Sequence, residues 1–292
     1  MSRESFGWAF LSALGAGFIV SATVELALLV LYPILFPPTR EQPLFVPARV
    51  IWEAAAGGVA GAVAARAGGA RAIALYVAYE LVLIVPQLAS RMYSCARVPA
   101  ALPAGVSASQ CDYSLLITAH WTYWSAVAIG IAVSRWIVAR EGANTVLRAA
   151  GVLAFATAVL QALGGIALFT FVLPNLRSGP ITTPFEAFQI GFTDLPLYAT
   201  AIGELVGGAA AGVLLARRSL AAPMLIGLAL VGPSFAMGIF FLRNQVGLPP
   251  AMPLAILLET YGWLWLPLAG TTAVLVGWSL ARSRRNHQLA AL

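Results

Sequence analysis

Apolar residues run along this chain in long uninterrupted blocks. Eight blocks approach or exceed the length of a membrane crossing, near Trp8–Leu35, Val46–Ala65, Ala72–Ser90, Tyr113–Val138, Ala149–Leu173, Leu195–Ala216, Ala221–Leu242 and Pro253–Leu280. A hydrocarbon core of roughly 30 Å takes about 20 helical residues to cross. The blocks lack the period-two alternation of a membrane β-barrel strand. The pattern therefore predicts an all-α integral membrane protein with about eight transmembrane helices. Pro86 in the third block and Gly232-Pro233 in the seventh predict kinks.

Composition agrees with the pattern. Of the 292 residues, 60% are apolar and only 10% are charged, against roughly 25% charged in an average soluble protein. A water-soluble fold of that make-up would expose large apolar patches. All 17 basic residues are Arg, so Schiff-base, P-loop and Ser-Lys chemistry is excluded. The net charge of +6 does not point to nucleic acid, because basic residues of membrane proteins gather in cytoplasmic loops.

Their distribution predicts the orientation. Arg3, Arg66, Arg71, Arg135, Arg140, Arg148, Arg217, Arg218, Arg282, Arg284 and Arg285 fall on the side of the N-terminus; Arg40, Arg49, Arg91, Arg97, Arg177 and Arg243 fall opposite. The bias places both termini in the cytoplasm, as expected of a cell (inner) membrane protein. The first block is too long for a cleavable signal peptide and ends in Leu35-Phe36-Pro37-Pro38 without a small-residue cleavage site. Cys95 and Cys111 share the outer loop 92–112. A disulfide between them is expected in an oxidising compartment; two free thiols are the alternative. Two cysteines without a neighbouring histidine do not make a metal site.

The two halves of the chain resemble each other. Glu53, Gly57, Gly61 and Arg66 match Glu204, Gly208, Gly212 and Arg217 at an offset of 151 residues (204 − 53). Further on, Leu115, Leu116, Thr118, Trp121, Trp136 and Arg140 match Leu257, Leu258, Thr260, Trp263, Trp278 and Arg282 at an offset of 142 (263 − 121). The expectation is two parallel four-helix repeats, 1–142 and 143–292, the second ending in a short cytoplasmic tail. Four helices return the chain to its starting side, so the halves would share an orientation about a pseudo-twofold axis along the membrane normal.

Glu53, Gly57 and Gly61 lie on one helix face, as do Glu204, Gly208 and Gly212. The glycine spacing allows close helix approach. The simplest packing brings the second and sixth helices together near the axis, with the two glutamates facing one another or a common cavity. Glu53 stands 13 residues (66 − 53) from the border residue Arg66, about 20 Å in and roughly 10 Å below the outer surface. A carboxylate there costs at least a few kcal/mol, on the order of the translocon scale, unless it is protonated, paired or hydrated. Two facing carboxylates would share a proton or a cation. The alternative is a neutral acid that hydrogen-bonds to a neighbour and locks helices together.

Glu80 is expected near mid-membrane, Glu25 in the first helix at similar depth, and Glu259 close to the outer border. His120, in His120-Trp121-Thr122-Tyr123-Trp124, is the only histidine in a span and a candidate proton relay beside what reads as an interfacial aromatic belt. Two histidines in all cannot supply bis-His haem ligation beside a usable site. Metalloprotease, redox-dithiol and phosphate-loop motifs are missing. A nucleophilic Ser234 would need a histidine on a later span, and none follows. No cofactor is called for.

These features lead to a transporter or permease-like protein that moves a proton, cation or small solute past intramembrane glutamates. Its partners would be the lipid bilayer and, in a second reading, other membrane subunits or a second copy, the chain then serving as a non-catalytic subunit or scaffold.

Overall fold

A computed structural model describes residues 5–35, 45–96, 114–134, 144–172, 195–244 and 262–290. These are all helical apart from short turns and hold seven helices: α1 (Phe6–Leu35), α2 (Phe45–Ala96), α3 (Ser114–Val133), α4 (Asn144–Ala167), α5 (Leu195–Leu214), α6 (Ala221–Asn244) and α7 (Gly262–Ala290). A π-helical turn, Leu168–Val172, extends α4. Four stretches are long and apolar enough to cross a membrane: Phe6–Leu28, Val50–Ile84, Thr145–Ala167 and Leu197–Leu214. Trp121–Val133 and Ala221–Pro233 are shorter apolar helices. Leu81, Val82, Ile129, Leu163, Val206 and Leu228 are exposed, an apolar surface suited to lipid.

The 52-residue helix α2 is broken at Gly69, whose φ of 61° and ψ of −152° are non-helical. Only glycine adopts such a conformation cheaply. A Cβ there would meet nothing within 4 Å, so the requirement is conformational rather than steric. The break reverses the chain. Gly57 and Glu80 both lie against Tyr123 of α3, although a straight helix would separate them by about 34 Å. The two arms of α2 are thus the second and third apolar blocks. Their counterparts α5 and α6 are joined instead by the turn at 215–220.

Packing follows small residues. α1 and α2, α2 and α3, α4 and α5, α5 and α7, and α6 and α7 are packed pairs. Between the halves the principal contact is α1 on α4, supported by α1 on α6 and α2 on α4. At its centre Gly15 lies against the Leu147 carbonyl and Gly151 against the Leu11 carbonyl. The contact is reciprocal: each partner is the other displaced by 136 residues (151 − 15). α2 and α5, which carry Glu53 and Glu204, are not among the principal packed pairs of the described residues. The pairing of second and sixth helices near the axis is therefore replaced by the pairing of first and fifth. Gly57 and Gly61 are used within the first half, against Tyr123 and Val127 of α3. Gly208 and Gly212 are used within the second, against Gly270 and Val274 of α7.

Other contacts recur in the same way. Gly17 packs on Ala56 and Ala60, and Leu153 packs on Gly207, which is α1 on α2 and α4 on α5 at matching positions. Gly130 meets Gly58, and Gly277 meets Ala209. On the last helix of each half the contacts correspond at an offset of 147 (274 − 127), not 142. Shared Leu and Trp residues drew the sequence alignment by five positions, whereas backbone approach is set by the glycines.

Three arginines, Arg148, Arg218 and Arg282, engage neighbouring elements. Arg218 donates to Thr145 Oγ1 at 3.0 Å, at the start of α4. The Arg218 carbonyl accepts from Trp278 Nε1 at 3.2 Å and from Arg282 at 3.1 Å. Arg148 stacks over the Trp8 ring and Arg282 over the Trp278 ring, at 5.4 and 5.0 Å. Two cores lie between the helices. One joins Phe10, Ala13, Leu14, Ala60, Ala64, Tyr76 and Val127; the other joins Ala149, Ala150, Leu153, Ala211, Leu215, Ile226 and Val274.

Candidate functional site

Among the described residues Glu80 in the first half and Glu204 in the second stand between helices, Glu80 half-buried and Glu204 buried, in different surroundings. In the first half Glu80 rises from the second arm of α2, four residues after Tyr76, so both side chains share a face. The reversal at Gly69 turns that face toward α3. There the Glu80 carboxyl meets the hydroxyls of Tyr76 and Tyr123, and the two hydroxyls hydrogen-bond to each other. Tyr76 is buried. Tyr79, on the neighbouring face, stacks with Phe10 and Phe155, centroids 5.5 and 5.7 Å away, tying this region to both α1 and α4.

In the second half the acid comes from the other helix. Glu204 of α5 is only 6% exposed, and its Oε2 is buried without a hydrogen-bond partner. A Cβ on Gly270 of α7 would stand 2.9 Å from that oxygen and 3.1 Å from the Glu204 Cβ, with Leu230 of α6 at 3.2 Å. The glycine thus leaves the room that the carboxyl occupies. By the offset of 147, Gly270 stands where Tyr123 stands in the first half; by the offset of 150 (226 − 76) between the core residues Tyr76 and Ile226, Leu230 stands where Glu80 stands. The preceding residue, Gly203, crosses α4 at Thr157, whose Oγ1 is also buried without a partner.

Glu53 shares the helical position of Glu204 but not its surroundings. It is half-buried and engaged with neighbours. The space that admits Glu204 at Gly270 is filled on this side by the Tyr123 ring, which lies 2.9 Å from a Cβ on Gly57. Among the described residues α2 and α5 are not a principal packed pair, so close packing of their glycine faces on each other is not what positions Glu53 and Glu204. Glu25 of α1 is half-buried, one residue before Leu26, which contacts Gly232 of α6. Glu259 and Cys111 lie outside the described residues, as do the side chains of His120 and Cys95. Among the described residues no three His, Cys, Asp or Glu side chains are grouped as metal ligands.

Sequence reasoning passed over Tyr76, Tyr123 as a partner of Glu80, and Gly270. The spacing of Tyr76 and Glu80 was available; their convergence on α3 depends on the hairpin at Gly69. No protein-family model, curated protein or solved structure matches the chain.

Proposed function

We propose that the protein is a transporter of the cell membrane, built from two four-helix repeats, 1–142 and 143–292, with both termini in the cytoplasm. Its cargo is a proton, a cation or a small solute that engages the enclosed carboxyls. The observation that carries this reading is the buried, unpartnered carboxyl of Glu204 between the helices of the second half, with Glu80 between those of the first. The reciprocal Gly15–Gly151 crossing supports a pivot between the halves. Rocking about such a contact gives alternating access without rebuilding either half. The arginines gathered around Arg218 support the cytoplasmic assignment of that end. The Cys95–Cys111 disulfide belongs to the same reading, on the opposite side.

An acid held in an apolar enclosure is costly unless it has a use. The test is charge movement by the purified chain in proteoliposomes on a solid-supported membrane, under steps of pH and of sodium. A protein-dependent displacement lost in Glu204→Gln and reduced in Glu80→Gln is expected. Traces equal to those of protein-free vesicles under both steps would overturn the reading. The second reading, a non-catalytic subunit or scaffold, draws support from the close small-residue crossings, which favour a rigid core. It is distinguished by stable co-purification with other membrane subunits and silence in the same assay.

A further inference from the structure

We infer that Glu204 is a proton-binding site, and that the species exchanged there is a proton rather than a metal cation. The inference rests on the transport reading and narrows it to one residue and one species. Glu204 is buried against Gly270, which Leu230 also approaches, and its Oε2 has no hydrogen-bond partner. A dehydrated alkali or alkaline-earth cation requires several oxygen ligands, about six or more for calcium. Among the described residues no three His, Cys, Asp or Glu side chains are grouped as metal ligands, and the helical backbone carbonyls are committed to their own helices. A proton requires one oxygen.

Among the described residues of the helices packed around it, no basic group stands at this level to hold the ionised form. On α4 the only titratable side chain among the described residues is Arg148, eight residues from Ala156, which lies beside Gly203 and Gly207; that is about 12 Å along the helix. On α7 the titratable groups are Arg282, Arg284, Arg285 and His287, the nearest being 12 residues from Gly270 (282 − 270), about 18 Å. On α6 it is Arg243, 13 residues from Leu230 (243 − 230), about 20 Å. On α5 itself it is Tyr198. An isolated carboxyl in such a place is neutral, and it ionises only when the enclosure opens. This is the behaviour required of a proton site in an alternating-access cycle. Glu80 differs: it belongs to a hydrogen-bonded cluster with the Tyr76 and Tyr123 hydroxyls, so it is a fixed node rather than an exchange site.

The experiment is infrared difference spectroscopy of the full chain in lipid nanodiscs at neutral pH, wild type against Glu204→Gln. A carboxylic-acid carbonyl band that the substitution removes, that Glu204→Asp shifts, and that Glu80→Gln leaves in place is expected. If the wild type lacks such a band and Glu204→Gln instead removes carboxylate bands, the inference is overturned. In that event loss of sodium-driven charge movement in Glu204→Gln would still support the transport reading with a cation. A band present in the wild type, combined with undiminished charge movement in Glu204→Gln, would uphold the proton and overturn the transport role of this residue. Glu204→Asp keeps the test decisive if the glutamine variant fails to fold.

Discussion

The enclosure around Glu80 and the enclosure around Glu204 use the same helical layer to different ends. In the first half a tyrosine ring fills the space between the helices, and its hydroxyl joins Tyr76 in binding the acid. In the second half a glycine vacates that space and the acid itself fills it, without a partner for Oε2. One arrangement satisfies a carboxyl within a cluster of tyrosine hydroxyls. The other isolates a carboxyl among apolar groups. The contrast teaches that an acid matched in sequence, as Glu53 is to Glu204, need not be matched in environment. What matters is the residue facing it on the last helix of its half.

The comparison can be broken most severely at Tyr123. Tyr123→Ala removes a ring packed on Gly57 and one of the donors to Glu80, and should cost about 3–5 kcal/mol of stability, the usual range for an aromatic-to-alanine change in a core. Thermal unfolding in detergent followed by size-exclusion chromatography would show it; a loss within that of a surface substitution would refute the packing. Gly270→Ala comes next. The added methyl falls 2.9 Å from Glu204 Oε2 and should cost about 1–3 kcal/mol by overpacking. Combining it with Glu204→Ala should recover most of that loss, a coupling that a double-mutant cycle reads directly. Additive losses would mean that Glu204 does not occupy the space at Gly270.

Smaller effects sharpen the contrast. Tyr76→Phe keeps the ring and deletes one hydroxyl, for a loss of about 1 kcal/mol. Glu80→Gln should destabilise more than Glu204→Gln, because only the first disturbs a bonded group. Equal melting shifts for the two glutamine variants would remove the distinction between them.

Much of the fold was legible in the chain. Helices follow from apolar runs, and the arginine end follows from charge placement. The reversal between the second and third blocks was legible from Arg66 and Arg71 flanking two glycines. The relation between helices was not. Gly15 and Gly151 give no stronger signal than many other glycines among the 27, yet they form the central crossing. The Gly57 and Gly208 motifs suggested a contact across the axis, but such motifs specify close approach and not the partner. The Trp matches drew the alignment of the last helices to the wrong register, because aromatic residues at a membrane border recur for interfacial reasons. Glu204 was legible as a candidate; its isolation depends on Gly270, which only the packing reveals.

Cysteine cross-linking tests the pairing of helices most directly, in a chain whose Cys95 and Cys111 are replaced by alanine. Gly17 and Ala60 stand with a Cβ separation of 3.3 Å, close to the roughly 3.5–4.5 Å spanned by a disulfide. Gly17→Cys with Ala60→Cys, and the corresponding Leu153→Cys with Ala211→Cys, should both form disulfides on mild oxidation. Glu53→Cys with Glu204→Cys should form none within the monomer. A monomeric Glu53–Glu204 cross-link, with the other two pairs remaining reduced, would contradict the architecture and the separate acid enclosures built on it.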